Sequence, residues 1–118
     1  MLSLSSITIG SANPKILTEF YAKVIGRKAD WEEGGWYGWQ MGNSYLMIGE
    51  HSEVKGKAKE PQRVIFNFEA KQVKREYERI LGQGAKLIKE LYEMEGMKIG
   101  TFADPDGNYF QIMSPWKG

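Results

Sequence analysis

Apolar residues recur along this chain at two different spacings, and the order of the spacings repeats. Ile7 and Ile9, Leu46 and Ile48, Val64 with Phe66 and Phe68, and Phe110 with Ile112 follow the two-residue period of strands with two distinct faces. Leu17, Phe20, Tyr21 and Val24, and later Val73, Tyr77, Ile80 and Leu81, recur instead at helical spacing. The first helix is signed at both ends: Asn13 can cap it, Pro14 suits the first helical position, and Gly26 stops it. Gly82 and Gly84 end the second. Each helix has a single apolar face, so each should lie across one side of a sheet with its charged face in water.

The pattern divides the chain into similar halves. Residues 1–50 read as strand, helix and three strands, and residues 63–115 read the same way. Between them runs a polar linker, residues 51–62, HSEVKGKAKEPQ. The helices show the closest internal match, because residues 21–26 (YAKVIG) and 77–82 (YERILG) share the tyrosine, the aliphatic pair and the glycine. Two copies of one module are therefore expected within a single domain, residues 1–118, a length that can fold without covalent staples.

Composition narrows the function by exclusion. Cysteine is absent, which removes disulfides, thiolate metal sites and thiol nucleophiles, and fits a reducing cytoplasm. Sixteen basic and fifteen acidic residues are interspersed for a net charge of +1, so the one-sign patch of a nucleic-acid binder is not visible. No apolar run approaches the roughly 20 residues of a membrane span, and the N-terminus lacks the regions of a signal peptide. A cytoplasmic protein with no nucleic-acid or membrane partner is the expectation.

The stretch from Thr101 to Pro115, TFADPDGNYFQIMSP, is the most specific in the chain. Asp104-Pro105-Asp106-Gly107 is a turn by its chemistry, with a side-chain acceptor, a preset φ and a residue that tolerates left-handed geometry. Together with Phe20-Tyr21 and Ile25-Gly26, the stretch resembles the vicinal oxygen chelate superfamily of glyoxalase, bleomycin-resistance and extradiol dioxygenase proteins. That resemblance implies an α+β fold of paired βαβββ modules, forming a cupped eight-stranded mixed sheet with helices on the outer side, commonly as a homodimer. Family enzymes hold a divalent metal in the cup, and the matching positions here are Ser6, Met47, Arg63 and Gln111. Of these only Gln111 could ligate a metal, and the set lacks the imidazoles and carboxylates such ions want. The resemblance therefore implies a member without a metal or other cofactor.

Residues on the face turned from the helices are the candidate ligand contacts. A two-residue turn at Gly42-Asn43 would pair Trp39 with Leu46, Tyr37 with Ile48, Gln40 with Tyr45 and Trp36 with Gly49. Trp36 then faces the ligand side and Trp39 the core. Trp36, Tyr45, Met47, Tyr109 and Met113 would form apolar walls. Ser6, Gln40, Arg63, Asn67 and Gln111 would orient polar groups of a small aromatic or acidic molecule. Arg63 is the charged member, and it either meets an acidic ligand or is solvated at the rim. Asp104 and Asp106 are accounted for by turn chemistry, and His51 reads as a loop histidine in solvent.

The first reading is thus a metal-independent small-molecule-binding protein without catalytic residues, with drug sequestration as one version. The alternative is a metal-dependent lyase, isomerase or dioxygenase-like enzyme with an atypical site around Gln111, Glu50 and His51. A third reading makes the same face a subunit or partner interface.

Overall fold

The structure is a computed structural model that describes residues 1–115. It forms two compact units, Met1–Gly56 and Lys57–Gly118, each with one helix and a four-stranded mixed sheet.

In the first unit β1 (Ser6–Ser11) leads into α1 (Pro14–Ile25), followed by β2 (Trp31–Glu33), β3 (Trp36–Met41) and β4 (Ser44–Glu50). The sheet order is β1-β4-β3-β2, with β1 and β4 parallel and the other pairs antiparallel. Gly26 ends α1 in the left-handed conformation, φ 94°, where a side chain would be strained. Asn13 occupies the N-cap position but makes no side-chain cap; its own N–H donates to Ser11 Oγ at 3.0 Å. The core joins Leu17, Tyr21 and Val24 of α1 to Ile9, Trp39, Leu46 and Ile48 of the sheet. Burying each large side chain stabilises by roughly 1.5–3 kcal/mol, so this stripe fixes which face of the sheet α1 covers. The hairpin register is the expected one, Tyr37 to Ile48, Trp39 to Leu46 and Gln40 to Tyr45.

The second unit repeats the topology: β5 (Ile65–Glu69), α2 (Val73–Gly82), β6 (Lys86–Met94), β7 (Met97–Ala103) and β8 (Tyr109–Met113), in sheet order β5-β8-β7-β6. Its core is built around a cluster of rings. Phe102 stacks on Phe110 with centroids 5.6 Å apart, and Tyr77 and Phe68 flank them at 5.5 and 5.9 Å. Two expectations are corrected. Val64 is 66% exposed and precedes β5, because the turn at Pro61-Gln62 delays the strand to Ile65. Leu81 is 40% exposed, since the helix ends before that side of it can be covered. Among the described residues no helix is long and apolar enough to cross a membrane.

Candidate functional site

The face of the first sheet turned away from α1 is floored by glycine. Gly10 of β1 pairs with Gly49 of β4, and Gly38 of β3 pairs with both Met47 and Trp31. Each of the three glycines lies beneath a ring-bearing side chain. A Cβ on Gly49 would run into the benzo ring of Trp36; one on Gly38 would come within 2.9 Å of the Trp31 indole; one on Gly10 would meet His51 Cβ at 2.9 Å. The missing side chains are what let these groups lie down on the sheet, as aromatic residues do across glycine in β-structure. Trp36 stays half-buried and Trp31 37% exposed, so both indoles retain area for a further contact. Met47 lies between Thr8 and Gly38 in register, and Tyr45 between Ser6 and Gln40. Five of the expected contacts, Ser6, Trp36, Gln40, Tyr45 and Met47, therefore share this face. Trp31 was missed in the sequence, because a three-residue edge strand is too short to show a period.

The edge of this face is clamped by charge. The Arg27 guanidinium holds Asp30 through two bonds of 3.0 and 3.1 Å and also donates to the Gln40 carbonyl at 2.8 Å. Asp30 in turn accepts the Gln40 N–H at 2.7 Å. Hydrogen bonds from Arg27 and then from the Gln40 backbone hold the Asp30 carboxyl at a pKa of about 2. The Gln40 amide donates to the Gly42 carbonyl at 3.4 Å, so its nitrogen is partly engaged at the hairpin turn.

In the second unit the corresponding face is polar and glycine-free in its middle. Asn67, Gln111 and Thr101 stand in register across β5, β8 and β7, and Gln111 Nε2 donates to Thr101 Oγ1 at 3.0 Å. Thr101 is buried and joins the candidate residues; its place became visible only with the register. Tyr109 and Met113 flank this row on the same face, both half-buried. Arg63 does not lie on the strand. It sits in the bend before β5, its side chain 76% exposed and 3.5 Å from Glu60.

The other ionisable candidates divide clearly. Asp104 is buried and its Oδ1 accepts the N–H groups of Asp106 and Asn108 at 2.9 and 3.0 Å, which is turn chemistry. Glu50 is exposed at the end of β4, opposite Ser11 and out of phase with Met47. His51, although exposed, is not simply in solvent, because it stands over Gly10. Two hollows lie away from the expected contacts. One of about 660 Å³ is lined at the start of α2 by Lys71, Lys74, Arg75 and Lys98 among others. The other, about 260 Å³, is lined by Thr18 and Glu19 of α1 with Lys28, Glu32 and Tyr37 among others.

The residues at the metal positions implied by the fold do not suit a divalent ion. Ser6 and Met47 supply a hydroxyl and a thioether, Arg63 lies off β5, and Asn67 and Gln111, in register across β5 and β8, supply neutral amides, so these positions offer neither imidazole nor carboxylate. Among the described residues no group of three or more His, Cys, Asp or Glu side chains could hold a metal ion.

Two βαβββ units with these sheet orders define the glyoxalase/bleomycin-resistance type of α+β fold. Similar solved structures include a glyoxalase-related enzyme from Fulvimarina pelagi (18% identity, TM-score 0.78, covering 98% of this chain and 89% of that one). A glyoxalase/bleomycin resistance protein/dioxygenase family enzyme from Burkholderia phytofirmans PsJN is also similar (22%, TM-score 0.76, 96% and 98%). So is a glyoxalase/bleomycin resistance protein from Albidiferax ferrireducens T118 (14%, TM-score 0.78, 96% and 98%). A search of curated protein sequences returns no match. The family model described as a glyoxalase-like domain matches residues 6–113, and the chain belongs to that family, within the vicinal oxygen chelate superfamily.

Proposed function

We propose that this protein binds a small planar aromatic or acidic molecule without a metal, on the α1-averse face of the first sheet. The observation that carries the reading is the pair of indoles, Trp31 and Trp36, seated on glycines of one face and still partly exposed. A protein gains little stability from leaving two indoles half-covered, whereas a flat ligand stacked on either gains about 0.5–1.5 kcal/mol beyond simple burial. Tyr45 and Met47 extend the apolar surface, and an adaptable thioether suits a permissive site. The neutral side chains of Ser6, Met47, Asn67 and Gln111, with no imidazole or carboxylate among them, support metal independence. The expected homodimer, the cytoplasmic location and drug sequestration belong to this same proposal.

The test is calorimetric titration with a panel of naphthalene and anthraquinone acids, with and without EDTA, beside metal analysis of protein purified without chelator. Binding that EDTA leaves unchanged, and that Trp36→Ala weakens at least tenfold, is the expected result. One metal per chain, with a melting temperature lowered by EDTA, would instead point to a metal-dependent enzyme.

A further inference from the structure

The sole histidine stands beside the indole shelf in a way its loop position conceals. Gly10 and Gly49 are paired across β1 and β4, so their missing side chains would project from the same face at neighbouring points. Gly49 lies under Trp36 and Gly10 lies under His51 Cβ and Cγ, at 2.9 and 3.6 Å from a Cβ placed there. Imidazole and indole thus rise from adjoining positions of one floor, with Val54 Cγ2 closing the far side of Gly10 at 3.4 Å.

The turn after β4 then sets the chemistry of the ring. The Glu53 N–H donates to His51 Nδ1 at 3.2 Å, and the Val54 N–H donates to the His51 carbonyl at 3.0 Å. A ring nitrogen that accepts an N–H carries no proton, so the neutral imidazole bears its hydrogen on Nε2. Among the described residues Nε2 has no partner. A donor of fixed tautomer, held by the backbone next to a stacking surface, is the pairing that orients an aromatic ring bearing one acceptor.

We infer that His51 is a recognition residue of the shelf, donating from Nε2 to a carboxylate or carbonyl oxygen of a planar aromatic ligand stacked on Trp36. This rests on the reading of the shelf as a ligand site, and it narrows the ligand from aromatic or acidic to aromatic and acceptor-bearing. The substitutions separate recognition from structure. His51→Ala keeps the Cβ over Gly10. His51→Asn keeps an acceptor for the Glu53 N–H but is too short to present the distal donor. His51→Gln restores a donor near the Nε2 position.

The probes are 2-naphthoate and 2-naphthalenemethanol, which share the ring system and differ in charge and acceptor strength, the hydroxyl being the weaker acceptor, each titrated calorimetrically into the full chain. Wild type should prefer the acid. His51→Ala and His51→Asn should each lose roughly tenfold for the acid, with a clearly smaller loss for the alcohol, and His51→Gln should regain most of the loss. If His51→Asn binds the acid as wild type does, the histidine only caps its turn and the inference is overturned. If Ala weakens both probes alike or neither, the inference fails while the shelf survives. If neither probe binds wild type, the shelf and the inference fall together.

Discussion

The two units share one topology and use glycine in opposite directions. In the second unit Gly100 of β7 faces α2, and a Cβ there would come within 2.7 Å of Tyr77, so the glycine lets the helix approach and seats Tyr77 against Phe102. In the first unit Gly10, Gly38 and Gly49 lie on the sheet face away from α1, and they admit His51, Trp31 and Trp36 there. Close approach serves the core in one copy and an outward face in the other. The comparison shows how a repeated module diverges: the topology is kept while the small residues move to the side where room is needed.

The largest effect should separate the two first-unit tryptophans that flank Gly38. Trp39 is fully buried and donates its indole N–H to the Arg27 carbonyl at 3.0 Å. Trp39→Ala should destabilise by about 3–5 kcal/mol, read by urea unfolding, because it opens a large cavity and strands a carbonyl. Trp36→Ala should cost less than about 1.5 kcal/mol. Equal losses would mean that Trp36 belongs to a core and would remove the ground for the shelf.

A smaller effect sharpens the glycine contrast itself. Gly100→Ala should cost about 1–3 kcal/mol, since Tyr77 is packed on the buried Phe102 ring and must give up that contact to make way. Gly49→Ala should cost less, because Trp36, as half-buried as Tyr77, makes no ring contact with another described residue that it would lose by swinging outward. Its signature is optical: the tryptophan emission should shift red and binding of the naphthalene probe should fall. If Gly49→Ala proved the more destabilising of the two, the indole would be the better-held group, and the assignment of the two faces would have to be reversed.

What the sequence disclosed follows the reach of its local signals. The β3–β4 register was legible because Gly42-Asn43 fixes a two-residue turn, and that one turn assigns Trp36 and Trp39 to opposite faces. The Asp104 turn was legible for the same reason, its acceptor and donors lying within five residues. The start of β5 near Arg63 was not legible, because strand starts depend on pairing with β8, which no local residue reports, and the pairing begins at Ile65. The glycine floor was hidden for a related reason. Gly10 and Gly49 are 39 residues apart, and only the parallel pairing of β1 with β4 makes them neighbours. His51 looked like a loop residue because its partner in space belongs to the first strand.

The smallest effect concerns the charged cluster that ties Arg27 and Asp30 to β3. Asp30 is tied to Arg27 and to the Gln40 backbone, and its pKa falls from an ordinary 3.8 to about 2. A carboxylate depressed in the folded state contributes stability that is fully present above its unfolded pKa and is lost as pH falls through the folded one. The loss should therefore occur between about pH 4 and pH 2. Because the pair is exposed, the contribution is modest and salt weakens it. Asp30→Asn keeps an acceptor for the Gln40 N–H and removes only the charge. The melting-temperature gap between wild type and Asp30→Asn should be constant from pH 7 to pH 5 and close as the pH approaches 2, with a smaller gap at high salt. The second unit has its own exposed pair in Arg63 and Glu60, joined through a single 3.5 Å contact, and Glu60→Gln should leave the acid limb unchanged. A gap for Asp30→Asn that persists unaltered to pH 2 would mean that the charge of Asp30 is not what braces this edge, leaving the neutral Gln40 hydrogen bond to do so.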